Sequence, residues 1–369
     1  MKSVSAKMQY LQMLERGGSY RKGQPDYGKG GIAGLDCTGD VRYFGFPHRV
    51  SEFIKEYDWA TSMRQLGDFT YKDLKGEICK FWSGFAELKP GQIKIGHGSM
   101  QVLERINKVF IERGVKVLGY APQFREYVTE LIMSGADYEA VLLDPEENFR
   151  FHTERFLSGI SSDYCLIYID NPNNPTGQLI RLGDIEEIIK EAQKRDVIVV
   201  VDEAYADYAD KENSAVNLIH KYQNFIVTRT FTKAYQLLGI RVGYGIFPPE
   251  LSDYYDKVDI PFPIPAVGSY LAREALLDQE FIPSLRQRVK SVKEKLVRGL
   301  EERGYLVADT FEECPIFVLG DRDENRDLEN YLLTREILTS SGLGYGNLGK
   351  NYVRVKLPAK AGDFLERLS

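Results

Sequence analysis

The chain reads as an α/β protein, with a mostly parallel sheet covered by helices and a smaller α+β segment towards the C-terminus. Two observations predict this. Runs that are nearly continuously apolar and rich in β-branched residues recur at 115–120, 140–143, 164–169, 197–201 and 225–228, and strands buried on both faces lose the in-out alternation of half-exposed ones. Helical patterning separates several of them, notably Ile185, Ile188, Ile189 and Ala192 between the third and fourth runs, as crossover helices between parallel strands require.

In chain order, residues 1–44 are rich in Gly, Lys, Tyr and Asp without a sustained period, which predicts an arm rather than a folded unit. Residues 45–258 are expected to form the large domain. Within it, Gly96-His97-Gly98 leads into a helix over 99–113 whose Val102, Leu103, Ile106, Val109 and Phe110 share one face. Proline breaks at Pro248-Pro249 and between Pro261 and Pro265 mark the passage to a small C-terminal domain, 259–369. That domain is expected to hold a helix over 284–303 and a short strand around Arg354.

Composition narrows the function classes. At 369 residues, 43% hydrophobic and 28% charged, the chain has the make-up of a globular protein with ample core. A formal net charge of −6 argues against a dedicated nucleic-acid binder. No apolar run approaches the roughly 20 residues of a membrane span, and Met1-Lys2-Ser3-Val4-Ser5 leads into mixed polar sequence, so a cytoplasmic location with no membrane partner is expected. Cys37, Cys79, Cys165 and Cys314 are far apart in sequence and form no C-x-x-C pair, which predicts free thiols and no metal site.

Ligands of parallel sheets bind beyond the carboxyl ends of the strands, and the loops there carry the reactive residues. Lys233 lies in Thr230-Phe231-Thr232-Lys233, after the fifth run. Its amine attacks an aldehyde only when deprotonated, against a solution pKa of ~10.4, so a reactive lysine needs special surroundings or a standing covalent linkage. Arg241 and the hydroxyls of Thr230 and Thr232 match the oxygens of a phosphate, for which Gly98-Ser99-Met100 at a helix entry would add backbone N–H groups. Asp202 ends a buried strand, where a carboxylate is costly without a partner; a protonated pyridine nitrogen would be one, and a helix cap or an arginine pair another. Tyr205 and Asn174 are placed to reach a phenolic oxygen, although the 171–177 loop Asn-Pro-Asn-Asn-Pro-Thr-Gly is also ordinary turn chemistry. Phe124 suits stacking on a ring or plain core packing. Arg354 suits a bidentate clamp on a carboxylate, or a solvent-facing place on its strand.

Taken together, N-P-N-N-P-T-G at 171–177, D-E-A-Y at 202–205 and T-F-T-K with Arg241 at 230–241 resemble the fold-type-I pyridoxal-phosphate enzymes of the class I/II aminotransferase group. Within it the chain is most similar to histidinol-phosphate aminotransferases and threonine-phosphate decarboxylases. The resemblance runs from about Leu35 to the C-terminus and implies a seven-stranded large-domain sheet, bound pyridoxal 5'-phosphate and a homodimer with a crossing arm. It implies Lys233 as the Schiff-base lysine, Asp202 as the pyridine-nitrogen partner, and Asn174 and Tyr205 as contacts to the ring hydroxyl. Gly98, Ser99, Met100, Thr230, Thr232 and Arg241 would form the phosphate cup, Phe124 would stack, and Arg354, with Asn174, would hold the substrate. The reaction implied is ping-pong transfer of an amino group between an L-amino acid, or an amino-alcohol phosphate such as histidinol phosphate, and a 2-oxo acid. Decarboxylation and a non-catalytic regulatory role are the alternatives.

Four departures from the family pattern bear on substrate recognition. Arg42 and Tyr43 stand where relatives usually carry asparagine and proline. Leu66 takes the place of a tyrosine that reaches across the dimer. Phe124 replaces a common tyrosine, and Ser340-Ser341-Gly342-Leu343-Gly344 offers no arginine for a substrate phosphate.

Overall fold

A computed structural model describes residues 34–39, 44–62, 64 and 67–369. Most of the expected arm, together with Arg42, Tyr43 and Leu66, lies outside the described residues. The strands in chain order are β1 (Leu35–Asp36), β2 (Ile93–His97), β3 (Lys116–Ala121), β4 (Asp137–Leu142), β5 (Tyr164–Asp170), β6 (Ile198–Asp202), β7 (Phe225–Thr230), β8 (Val242–Ile246), β9 (Leu306–Val307), β10 (Ile316–Gly320), β11 (Ile337–Leu338), β12 (Ser340–Ser341) and β13 (Tyr352–Lys356).

Seven of these form one sheet in the order β2-β8-β7-β6-β5-β3-β4. The neighbours from β7 to β4 pair in parallel, whereas β8 runs antiparallel to both β7 and β2. The five apolar runs in the sequence correspond to β3 through β7. β2 and β8, which complete the sheet, were not among them.

Both faces of the sheet are covered, which is why the central strands run apolar without in-out alternation until the polar residues at their carboxyl ends. Along β6, Val199 and Val201 share a core with Ile185, Ile188 and Ile189 of helix Leu182–Gln193, while Val200 between them packs with Val102, Leu103 and Ile106 of helix Gly98–Phe110. A period of two in strand direction thus feeds two different helical layers. Helix Ala266–Leu277, beyond the expected division at 258/259, contributes Leu271, Ala272, Ala275 and Leu276 to the core of this large sheet.

A second, antiparallel sheet has the order β12-β13-β10-β9, and β1 pairs in parallel with β11 beside it. Helix Phe281–Glu301 lays Leu285, Val289, Leu296 and Leu300 against Phe317, Leu319, Val353 and Val355. This layer turns the middle of β13, and Arg354 with it, towards the carboxyl ends of the large sheet.

Candidate active site

The loops after β5, β6 and β7 converge on one cleft, which encloses about 980 Å³ of space free of protein atoms, part of it open to solvent. Its lining includes Ser99, Met100, Phe124, Asn174, Asp202, Tyr205, Thr230, Thr232, Lys233, Arg241 and Arg354. Residues that lie up to 255 positions apart in sequence are therefore neighbours, through strand order alone. Of the expected site residues, only Gly98 is set back from the lining.

Gly98 acts through its backbone. It opens helix Gly98–Phe110 at φ +72°, and a Cβ there would stand 2.8 Å from the Arg241 guanidinium. Glycine leaves room for that arginine against the helix start, and its own N–H donates to the Arg241 carbonyl at 3.1 Å. Beside it the Thr230 and Thr232 hydroxyls are 2.8 Å apart, and Arg241 Nη1 donates to Thr232 Oγ1 at 3.4 Å. Two hydroxyls, a guanidinium and a helix N-terminus make an anion cradle.

Asp202, 3% exposed, ends β6 and also lines the cleft. Its Oδ1 accepts from Thr228 Oγ1 at 2.9 Å and its Oδ2 from Tyr168 OH at 3.2 Å. Burial pushes its carboxyl up to about 7; the Thr228 hydrogen bond opposes the shift and the neighbouring Asp170 adds to it. Asp170 lies at the same register on β5 and is raised as well, by burial. The backbone N–H of Asn174 donates to Asp170 Oδ2 at 2.8 Å and Tyr120 OH to Oδ1 at 2.9 Å. Asp170, which also lines the cleft, thus fixes the Asn-Pro loop. The sequence signal for Asp170 and Tyr168 was present and passed over, since Asp170 ends its strand as Asp202 does.

Lys233 lines the same cleft, its Nζ 5.3 Å from the centroid of the buried Tyr205 ring. Arg354 is 9% exposed and so does not face solvent. Its Nη1 donates to Asn174 Oδ1 at 3.2 Å, and its Nη2 reaches Ser340 Oγ at 3.2 Å and the Thr38 carbonyl. The small sheet is thereby tied to the Asn-Pro loop across the cleft. Glu126 also lines it, a residue that no sequence motif singled out.

A second ionic cluster lies behind the site. Arg229 pairs with Glu203 and Asp207 at 2.5 Å each, all three side chains being 7% exposed or less, and its guanidinium stacks 4.9 Å from the Trp82 ring. Glu203 also accepts from Ser214 Oγ and the Ala215 N–H at 2.6 Å. Of the D-E-A-Y residues, then, the aspartate faces the cleft and the glutamate anchors the loop.

Among the described residues, no helix is long and apolar enough to cross a membrane. The aminotransferase class I and II family model matches residues 37–367. A histidinol-phosphate aminotransferase of Methanocaldococcus jannaschii is 31% identical over 263 residues, 71% of this chain and 69% of that protein. The crystal structure of the histidinol-phosphate aminotransferase from Clostridium acetobutylicum superposes with a TM-score of 0.80 at 24% identity, covering 90% of this chain and 98% of that one. That of the Sinorhizobium meliloti enzyme, in complex with pyridoxal-5'-phosphate, gives 0.76 at 20% identity, covering 95% and 97%. With every residue of the cleft inside the matched segment, this chain belongs to the aminotransferase class I and II family.

Proposed function

We propose that the chain binds pyridoxal 5'-phosphate in this cleft and moves an amino group from an L-amino acid to a 2-oxo acid by a ping-pong route. The observation that carries the reading is the convergence of Lys233, Asp202, Arg241 and Arg354 on one cleft. The donor set fits the cofactor: an anion cradle for its phosphate, an amine for its aldehyde, and a buried carboxyl suited to its ring nitrogen.

When bound, the cofactor supplies an electron-accepting ring conjugated with the substrate's α-carbon. Arg241, the Thr230 and Thr232 hydroxyls, Ser99 and the helix start at Gly98 and Met100 hold its phosphate. Asp202 would pair with the ring nitrogen and keep it protonated, a pairing that would favour the ionised carboxylate against the effect of burial. Tyr205 and Asn174 hydrogen-bond the ring hydroxyl, and Phe124 covers the ring. The Lys233 amine would hold the cofactor through its aldehyde and, once freed by the substrate, would be the base that moves the proton of the substrate's α-carbon. Arg354 holds the substrate carboxylate and so fixes which α-carbon bond faces the ring.

A homodimer in the cytoplasm completes the reading. Phe69 and Phe262, 55% and 50% exposed and 5.3 Å apart, leave an aromatic patch that a second copy would cover. An amino-donor screen following the cofactor's spectral change, with product analysis, tests the activity. Formation of a 2-oxo acid and of the aminated cofactor is expected. Carbon dioxide release without a 2-oxo acid, or a bound cofactor that no donor converts, would overturn it.

A further inference from the structure

Leu285, Val289, Leu296 and Leu300 form the apolar stripe of helix Phe281–Glu301, and its middle place, where the spacing asks for another apolar side chain, is taken by Lys293. The residue is 1% exposed. An ammonium in the interior is costly unless its charge is met, and here backbone carbonyls and a hydroxyl meet it. Nζ donates to Thr310 Oγ1 at 2.6 Å, to the carbonyls of Phe311 and Cys314 at 2.8 Å and to that of Ile316 at 3.0 Å. Burial lowers its pKa to about 8, with the Cys314 thiol and the Glu312 carboxylate opposing the shift, so the amine is charged at neutral pH.

The segment gathered by this amine is the one on which the Asn-Pro loop rests. The Phe311 N–H donates to the Gly177 carbonyl at 3.0 Å, and a Cβ on Gly177 would stand 2.8 Å from Thr310 Oγ1 and closer still to the Ile316 carbonyl. Thr310 and Ile316, both acceptors of Nζ, therefore pack directly against the last residue of N-P-N-N-P-T-G. The Gly177 N–H in turn donates to the Asn173 carbonyl at 2.8 Å, and Asn174 beside it accepts from Nη1 of Arg354. In the other direction the segment runs into β10, where Val318 lies opposite Arg354 of β13, and the Pro315 carbonyl accepts from the Leu357 N–H at 2.9 Å. One buried charge thus sits at the joint between the two partners of the Asn174–Arg354 hydrogen bond. An apolar side chain of the same length would fill the core equally well, but it would leave the convergent carbonyls of Phe311, Cys314 and Ile316 without their donor.

We infer that Lys293 is a positioning residue for amino transfer: by drawing the 310–316 segment together it sets the Asn-Pro loop against β13, and so holds Arg354 where a substrate carboxylate meets it. This rests on the reading of the cleft as an aminotransferase site, and it deepens that reading by adding a residue that touches neither cofactor nor substrate.

Hydrogen exchange read by mass spectrometry, on the wild-type protein, Lys293→Met and Thr310→Val in the presence of pyridoxal phosphate, tests it. Exchange is read whether or not a donor is turned over, and the donor screen judges the aminotransferase reading separately. In Lys293→Met the amides of 171–178 should exchange at least roughly 10-fold faster, the scale of a lost charged hydrogen bond, while those of β6 keep the wild-type rate. Thr310→Val removes one acceptor and keeps the charge; it should act in the same direction more weakly, and it decides the matter if Lys293→Met does not fold. With a donor in hand, Lys293→Met should raise its KM roughly 10-fold and leave kcat within a few-fold, because a protein that is merely less stable would lose active enzyme, and so apparent kcat, at unchanged KM. Exchange at 171–178 that stays at the wild-type rate, acceleration spread equally over β6, or a fall in kcat at wild-type KM would each overturn the inference.

Discussion

Asp202→Asn should make the cofactor-free protein more stable, and by an amount that grows with pH. In the folded chain burial raises the Asp202 carboxyl from 3.8 to about 7. A folded-state pKa above the unfolded one means that the native state prefers the protonated acid, so stability falls as pH rises from the unfolded value towards the folded one. At about 1.4 kcal/mol per pH unit, the native state loses about 1.5 kcal/mol by pH 5 and about 4 kcal/mol by pH 8. The carboxyl is buried, so solvent offers little screening. Asparagine has no charge to bury, and its side-chain oxygen and amide can meet the same Thr228 and Tyr168 hydroxyls. Urea unfolding of both cofactor-free proteins at pH 5 and pH 8 should therefore show the gain from asparagine growing by about 2.5 kcal/mol between the two. Adding pyridoxal phosphate should reverse the ranking, because only the carboxylate neutralises a protonated ring nitrogen. A gain that does not vary with pH, or a variant that gains as much as wild type from the cofactor, would refute the reasoning.

Arg354→Lys keeps the charge but gives up the planar fork that meets Asn174 and Ser340; steady-state kinetics should show kcat/KM for the amino donor falling roughly 10–100-fold, with cofactor affinity little changed. Arg229→Ala leaves Glu203 and Asp207 as two buried carboxylates without their counter-charge. Urea unfolding should register a loss of roughly 3–5 kcal/mol, and a loss below about 1 kcal/mol, the value of an exposed pair, would show that water reaches the cluster.

The fold was legible where hydrophobicity alone specifies a strand. β3 through β7 are buried on two faces, and their sequences admit little else. β2 and β8 escaped because glycine dilutes the β signal in Ile93-Lys94-Ile95-Gly96-His97 and Val242-Gly243-Tyr244-Gly245-Ile246. The structure supplies the reason at Gly243, where a Cβ would approach the Ser99 nitrogen to 2.3 Å. The helix start that builds the anion cradle rests directly on that strand, so the requirement for close approach outweighs propensity.

In the cleft, motifs located the residues that follow each strand, since strand ends and their loops are contiguous in sequence. Contacts such as that between Arg354 and Asn174, 180 positions apart, were beyond local pattern and came to light only through sheet order. Lys293 was invisible for a different reason. A lysine within a helix has an everyday explanation, and only the burial of its amine among backbone carbonyls distinguishes it.

The amine at position 233 carries the chemistry proposed for the cleft. Borohydride reduction of the protein with pyridoxal phosphate, followed by digestion and mass spectrometry, should place a stable pyridoxyl adduct on the peptide containing Lys233, and Lys233→Ala should lose both that adduct and turnover. Label spread over exposed lysines with position 233 unmodified, or transamination that persists in Lys233→Ala, would contradict the account.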